Sequence, residues 1–293
     1  MQKAGQGNRR RQGQGRAGFA GRASKPVSLT LWLALSLLVL VVALALLSTL
    51  WTPYDPALVA VGPRFSPPTS SHWLGTDSLG RDVLSRIMAG AQVTVLVGVV
   101  ATALSALLGV PIGLVSAMRG GYVSSLMMRG SDVLLALPGL LLALVMAAAL
   151  GAGTGTAMLA LGIGGIPGFI RVARSASLTV LSRDFVAAAR GFNHSSWWIV
   201  RTHVWPHITG LLTVHLTVTF ALAVLAESGL SFLGLGPQPP TPSWGRMLAE
   251  AQPYLGTHSY LVWAPALAIA VLVWAVNALG DGLRDLLDPR EEA

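Results

Sequence analysis

The residues of this chain that could do chemistry are few, and they stand in a strongly apolar sequence. His203 and His207 are four apart, a spacing that lets two imidazoles chelate a metal from one helix face. Pro206 interrupts the turn between them and no carboxylate or thiolate is near, so they read as surface histidines. The string GTDSLGRD from Gly75 has glycines at phosphate-loop spacing, but Arg81 and Asp82 stand where Lys and Ser/Thr are required. It reads as a structural turn, with Asp77, Arg81 and Asp82 available as partners. His215 and Glu227 lie inside or at the end of an apolar stretch, where an ionisable residue is a functional candidate by default. They are candidates for the pathway or an outer gate, although Glu227 has the simpler option of pairing with Arg246. This inventory contains no catalytic residue, no cofactor motif and no metal set. What remains is SRDFVAAARGFNHSSWWIVRTHVWPH, Ser182 to His207, a polar interruption with three arginines, three histidines, three tryptophans and an alanine run.

The elements that must position these residues follow from composition. Apolar residues make up 53% of the chain and charged residues 11%, against about a quarter in soluble domains. With a mean hydropathy of +0.63, the solvent is lipid. There is no cysteine, which excludes disulfides and thiolate metal sites. A spanning helix needs roughly 20 apolar residues. Six stretches qualify: Leu29–Leu50, Val93–Met118, Val133–Leu150, Thr156–Ile170 extending toward Leu178, Ile208–Leu230 and Tyr260–Leu279. Arg171 and Arg174 interrupt the fourth, and Pro111, Pro138 and Pro265 are expected to interrupt others. The GIGGIPG run, Gly162 to Gly168, allows either a hinge or close helix packing. The first stretch is longer than a secretory-signal core and lacks a cleavage site, so it is expected to remain as an anchor.

Charge distribution orients the bundle, because cytoplasmic loops carry an excess of Lys and Arg. With the amino-terminal tail inside, the inside segments hold 16 of the 20 basic residues: seven in the tail, Arg119 and Arg129, five from Arg171 to Arg201, and Arg284 and Arg290. Both termini are therefore expected to be cytoplasmic, with the 182–207 segment. The net charge of +8 is then an orientation signal and a contact with anionic lipid, not a nucleic-acid surface. The expected organisation is a disordered basic tail over 1–25, a first span with an extracytoplasmic segment over 26–90, a transmembrane domain over 91–281 and a cytoplasmic tail over 282–293. The segment Ser231–Leu255, with five prolines from Pro237 to Pro253, is too polar to span and should fold back over the outer mouth.

Within the polar segment, Ser182 is a plausible helix cap and Asp184 suits the positive end of the helix dipole. Phe185, Ala188, Ala189 and Phe192 follow i, i+3, i+4, i+7 and define one face. Asn193 tolerates the left-handed turn that ends helices, and Ser195 or Ser196 can cap a second helix stopped by Pro206. Two alanines between phenylalanines form a narrow ridge suited to a partner's groove; an interfacial helix with an aromatic belt fits the periodicity equally. A DNA-reading helix-turn-helix does not suit a segment tied at both ends to spans.

Residues Asp184 to His207 resemble the EAA loop of permease subunits in binding-protein-dependent ABC importers. That pattern is Glu-Ala-Ala, three residues, Gly, and an aliphatic-x-Leu-Pro ending. Ala187, Ala188 and Ala189 hold the triplet here, Asn193 the glycine position, and Val204, Trp205 and Pro206 the end. Ala187 replaces the glutamate, Asn193 the glycine and Trp205 the leucine. Three further stretches, HWLGTDSLGRDVLSR, GLSFLGLGPQPPTPSWGRML and NALGDGLRDLLDPR, resemble the C-type permease subunit of the dipeptide/oligopeptide/nickel importer family. The resemblance covers about residues 54 to 290. It implies an all-α type I ABC importer permease fold with six transmembrane helices, in a cell (plasma or inner) membrane. It also implies partners: a homologous second permease, two cytoplasmic ATP-binding subunits that carry the ATP hydrolysis, and an extracytoplasmic solute-binding protein. The family's coupling-helix positions fall on Asp184, Phe185, Ala188, Ala189, Arg190 and Asn193. Small aliphatic spans without a metal cage favour short peptides as cargo. A nickel chelate or glutathione are alternatives by the same architecture. A secondary transporter or channel without ATPase is the alternative of another class, and no internal repeat supports it.

Overall fold

A computed structural model describes residues 29–287, with side chains to Arg284. The expected disordered tail over 1–25 lies outside the described residues, as does the second half of the tail over 282–293, whose first half continues the last helix. Among the described residues the regular structure is helical, with a single isolated β-bridge, Thr76 to Asp82, in the non-helical segment 48–82.

The helices are α1 (Leu29–Leu47), α2 (Val83–Arg119), α3 (Gly121–Ala136), α4 (Gly139–Leu150), α5 (Thr154–Leu181), α6 (Asp184–Gly191), α7 (Ser196–Ile199), α8 (Trp205–Phe232), α9 (Trp244–Ala251) and α10 (Tyr260–Leu287). Among the described residues, five helical segments are long and apolar enough to cross a membrane, and a sixth span arises if α3 and α4 count as one broken crossing. At about 1.5 Å per residue, α2 is about 55 Å long against a hydrocarbon core of about 30 Å. It therefore begins ten residues before the apolar run at Val93 and projects beyond the membrane.

Proline behaves differently from the sequence expectation. Pro111, Pro167 and Pro265 lie inside continuous helices, and only Pro138 breaks its span, bending α3 against α4 by 82°. Leu137 is extended (φ −87°, ψ 118°), the conformation a following proline favours. The difference lies in support. Pro111 and Pro167 sit where α2 and α5 pack backbone to backbone, while Leu137, Leu140 and Leu141 stand about half exposed.

The α2–α5 contact is the most extensive in the bundle, and it is close. A Cβ on Gly109 would come within 2.7 Å of the Ile166 carbonyl oxygen, and one on Gly113 within 2.6 Å of that of Ile170. Ser105 of α2 donates its hydroxyl to the Gly162 carbonyl of α5 at 2.7 Å. The glycine run of α5 thus serves close packing, the means by which helices associate in lipid without a hydrophobic driving force. Val110, Phe169, Ala173, Ile208 and Leu212 form the inner core, and Val83, Val224, Trp244, Met247 and Leu272 belong to the outer one.

Candidate functional site

The 182–207 segment forms a compact protrusion. Ser182 is not the cap of α6: its N–H bonds to Leu178 and it closes α5, while Arg183 holds the α6 cap position without a side-chain bond. Asp184 lies in the first turn and Arg190 in the last, both favourable to the dipole. Asn193 takes φ +59° and reverses the chain, as its type permits. Ser195 then caps α7, accepting from the Trp198 N–H at 3.2 Å.

Pro206 does not stop the second helix. The Trp205 N–H bonds to the Val200 carbonyl, a π-turn over Val200–Val204. The wider turn passes the proline, which has no N–H to donate, and the chain continues directly into α8 with Pro206 in its first turn. The loop is therefore rigidly continuous with a spanning helix.

Side-chain directions shift the predicted face by one residue. Val186 is fully buried and Ala189 is 6% exposed; they pack inward with Ile199, Val204 and Phe169. Ala189 does not belong to a free ridge. The outward face is Asp184, Ala187, Ala188 and Gly191, itself an i, i+3, i+4, i+7 set, with Arg190 and Asn193 also exposed and Phe192 80% exposed beside it. Phe185 is turned to the side, its ring 5.3 Å from that of His203 and 5.6 Å from that of His207. His194 stacks on Trp198 at 3.8 Å, and Trp198 meets His203 edge-on at 5.2 Å. The histidines thus join α6 to α7 through ring contacts, and His207 Nδ1 lies 2.6 Å from its own helix's carbonyl at His203. Sequence reading missed this layer, and the alternation of His with Trp and Phe was the available signal.

At the opposite end a cap closes over the bundle. The α8–α9 segment folds back so that Trp244 is buried and donates Nε1–H to the Ile87 carbonyl of α2 at 2.9 Å. Gly245 lets α9 touch α8: a Cβ there would meet the Ser228 carbonyl oxygen at 2.4 Å. Glu227 does not pair with Arg246. It is fully buried, accepts from Ser231 Oγ at 2.6 Å and more weakly from Thr94 Oγ1 at 3.5 Å, and lies in reach of the Ser243 hydroxyl. Its carboxylate joins α2, α8 and the start of α9. His215 points from α8 toward α5, edge-on to Phe169 at 4.5 Å, with a buried, unpartnered Nε2.

Arg246 belongs instead to an ion network spanning the cap. Asp77 accepts from Arg81 Nε at 2.6 Å and Arg86 at 2.5 Å; Glu250 accepts from Arg81 at 2.6 Å, Arg86 at 2.9 Å and Arg246 at 3.0 Å. Asp82 caps α2 through the Ser85 N–H at 2.8 Å and contacts His72 Nδ1 at 2.9 Å. Burial would raise the Asp77 carboxyl, but the Arg81 N–H and the Arg81 and Arg86 guanidiniums outweigh it and hold it below 3.8. Burial likewise opposes Arg86 and Arg81 at Glu250, which is held below 4.5. Both groups bind fewer protons folded than unfolded. Their contribution is complete above those ordinary values and is lost as pH falls through the lowered ones. Acidification below about pH 4 is expected to release α9 first. Hydrogen exchange checks this: α9 amides should lose protection while α2–α5 amides keep theirs, and equal protection of both would refute it.

Spanning helices, a protruding small-residue helix at one end and a cross-linked cap at the other make a multi-pass helical membrane protein. The chain belongs to the binding-protein-dependent transport system inner membrane component family, whose profile matches residues 109–292. It is similar to the di/tripeptide transport system permease protein of Pseudomonas aeruginosa (39% identical, covering 86% of each chain). The dipeptide transport system permease protein of Bacillus subtilis is 37% identical, over 87% of this chain and 80% of its own. The glutathione transport system permease protein of Pectobacterium atrosepticum is 36% identical, over 86% of this chain and 84% of its own. In fold, the chain matches the MetNI methionine ABC transporter in an inward-facing form, with TM-score 0.60 and 17% identity over 69% of this chain and 96% of that one.

Proposed function

We propose that this chain forms half of the membrane pathway of an ATP-driven importer for short peptides. The observation that carries the reading is its match, over most of its length, to permease subunits named for di- and tripeptide transport. A homologous second permease completes the pathway, two cytoplasmic ATPases power it, and an extracytoplasmic binding protein delivers the cargo. The exposed face of Asp184, Ala187, Ala188 and Gly191 is the surface offered to one ATPase, with Arg190 and Asn193 at its margins. Phe185 and the buried Ala189 set its height above the bundle. Direct continuity of this loop with α8 supports the assignment, because force on α6 and α7 passes into a spanning helix without an intervening flexible joint. Glutathione, itself a tripeptide-like molecule, is the second cargo reading and has the Pectobacterium relative behind it.

The test is ligand identification on the cognate binding protein by mass spectrometry and calorimetry, followed by uptake in cells lacking this permease. Loss of di- and oligopeptide uptake is expected. Unchanged peptide uptake with lost glutathione or nickel uptake would overturn the cargo. Orientation is tested by cysteine labelling, with Ser195 reached only from the cytoplasm and Thr69 only from outside; outside labelling of Ser195 would sink the docking surface.

A further inference from the structure

The adjoining ends of α2, α3 and α5 enclose a cleft of about 430 Å³, lined in part by Ser116, Ser124, Arg129, Asp132, Arg174 and Leu178. That volume lies in the range of small-ligand sites. Its polar wall is organised. Ser116 and Ser124 share a hydrogen bond of 2.8 Å between buried hydroxyls. Arg174 Nε donates to Ser124 Oγ at 3.1 Å, which fixes the guanidinium against the wall. Arg171 pairs with Asp132 at 2.7 Å, so the one carboxylate of the cleft is already matched. Among the described residues, neither Arg129 nor Arg174 has a carboxylate within ion-pair distance. The cleft therefore carries two uncompensated guanidiniums, one of them half-buried and held in place. The α2–α3 turn at its edge is left-handed at Gly120 and Gly121 (φ +59° and +52°), and a Cβ on either would meet nothing within 4 Å.

An uncompensated, partly desolvated guanidinium calls for an anion, and its planar fork matches phosphate oxygens two at a time. Location narrows the source. Ser116 and Leu178 each lie within one turn of the ends of spanning helices, which are the cytoplasmic ends in the orientation given by the arginine distribution. Basic pockets between spans at that level bind lipid headgroups. We propose that this cleft binds a phosphate group at the cytoplasmic boundary of the membrane, through Arg129 and Arg174 with the Ser116–Ser124 pair beneath. The phosphate belongs either to an anionic phospholipid headgroup or to a soluble phosphate ion.

The experiment uses the full-length chain in nanodiscs of phosphatidylcholine with phosphatidylglycerol, reading retained lipids by native mass spectrometry. Wild type should retain phosphatidylglycerol selectively. Arg129→Gln with Arg174→Gln should lower that retention about a hundredfold, roughly tenfold for each lost charge-assisted contact. Arg284→Gln, at the same end of α10, should leave it unchanged. Arg129 is exposed, so Arg129→Gln alone provides a variant without a folding cost. Retention that resists added inorganic phosphate assigns the lipid. Inorganic phosphate bound by wild type and not by the double variant, without lipid selectivity, assigns the free ion. Equal retention in wild type and double variant, or equal loss in the Arg284 control, overturns the site. So does loss of a co-purifying protein with lipid retention intact, because the cleft would then hold a protein partner.

Discussion

Ala188→Arg is expected to abolish uptake while leaving a folded, inserted chain, and Ala189→Arg is expected not to fold. The two alanines are neighbours, yet one faces outward and the other is 6% exposed against Val186 and the inner core. A guanidinium at 188 extends into solvent in the isolated chain and costs it little. Against an ATPase groove it keeps the backbones apart, which removes the close approach that Ala187, Ala188 and Gly191 allow. At 189 the same group is buried without a partner, at several kcal/mol. The measurements are membrane-extracted yield and thermal stability of each variant, substrate-stimulated ATP hydrolysis in the reconstituted complex, and retention of the ATPase. Normal stimulated hydrolysis and uptake with Ala188→Arg would remove this face from the contact. Equal stability of the two variants would refute the assigned helix phase.

The second large effect is at the cap. Asp77→Asn is expected to destabilise it by roughly 3–5 kcal/mol, the cost of breaking a buried ion pair from one side. Asp77 lies between Arg81 and Arg86, and the Arg86 side chain is only 3% exposed. Glu250 alone cannot neutralise both guanidiniums together with Arg246, so the variant leaves charge enclosed and uncompensated. Asn keeps the Oδ1 acceptor that binds the Leu79 and Arg81 N–H groups, so the turn itself should persist. Proteolysis of the outer segments and exchange at α9 should both accelerate. A change below 1 kcal/mol, the level of an exposed pair, would show that water reaches this network. Pairing Asp77→Asn with Arg81→Gln should recover part of the loss, because it removes one of the orphaned charges.

Much of this protein is legible without coordinates. Long apolar runs in lipid must satisfy their backbone internally, since no water is there to do it, and such runs made the helical bundle legible, while the excess of Lys and Arg on one side gives the expected orientation that labelling tests. The left-handed turn at Asn193 and the cap at Ser195 follow from side-chain chemistry that acts over two or three residues, so they too were visible. What the tertiary structure decided are choices between local options of nearly equal energy. Alanine is small and apolar enough for either side of α6, so periodicity alone did not separate the Ala188 face from the Ala189 face; the cavity filled by Val186 did. Proline permits a break at each of its sites in the spans, and the bundle takes it only at Pro138, where the flanking leucines stand about half exposed. Glu227 and Arg246 have the charges to pair. Glu250 sits one helical turn from Arg246, and Ser231 one turn from Glu227, and burial then favoured hydroxyl partners for one carboxylate and guanidinium partners for the other. The Asp77–Arg86–Glu250 network joins residues more than 160 positions apart, and only the fold-back of α9 onto α2 brings them within reach.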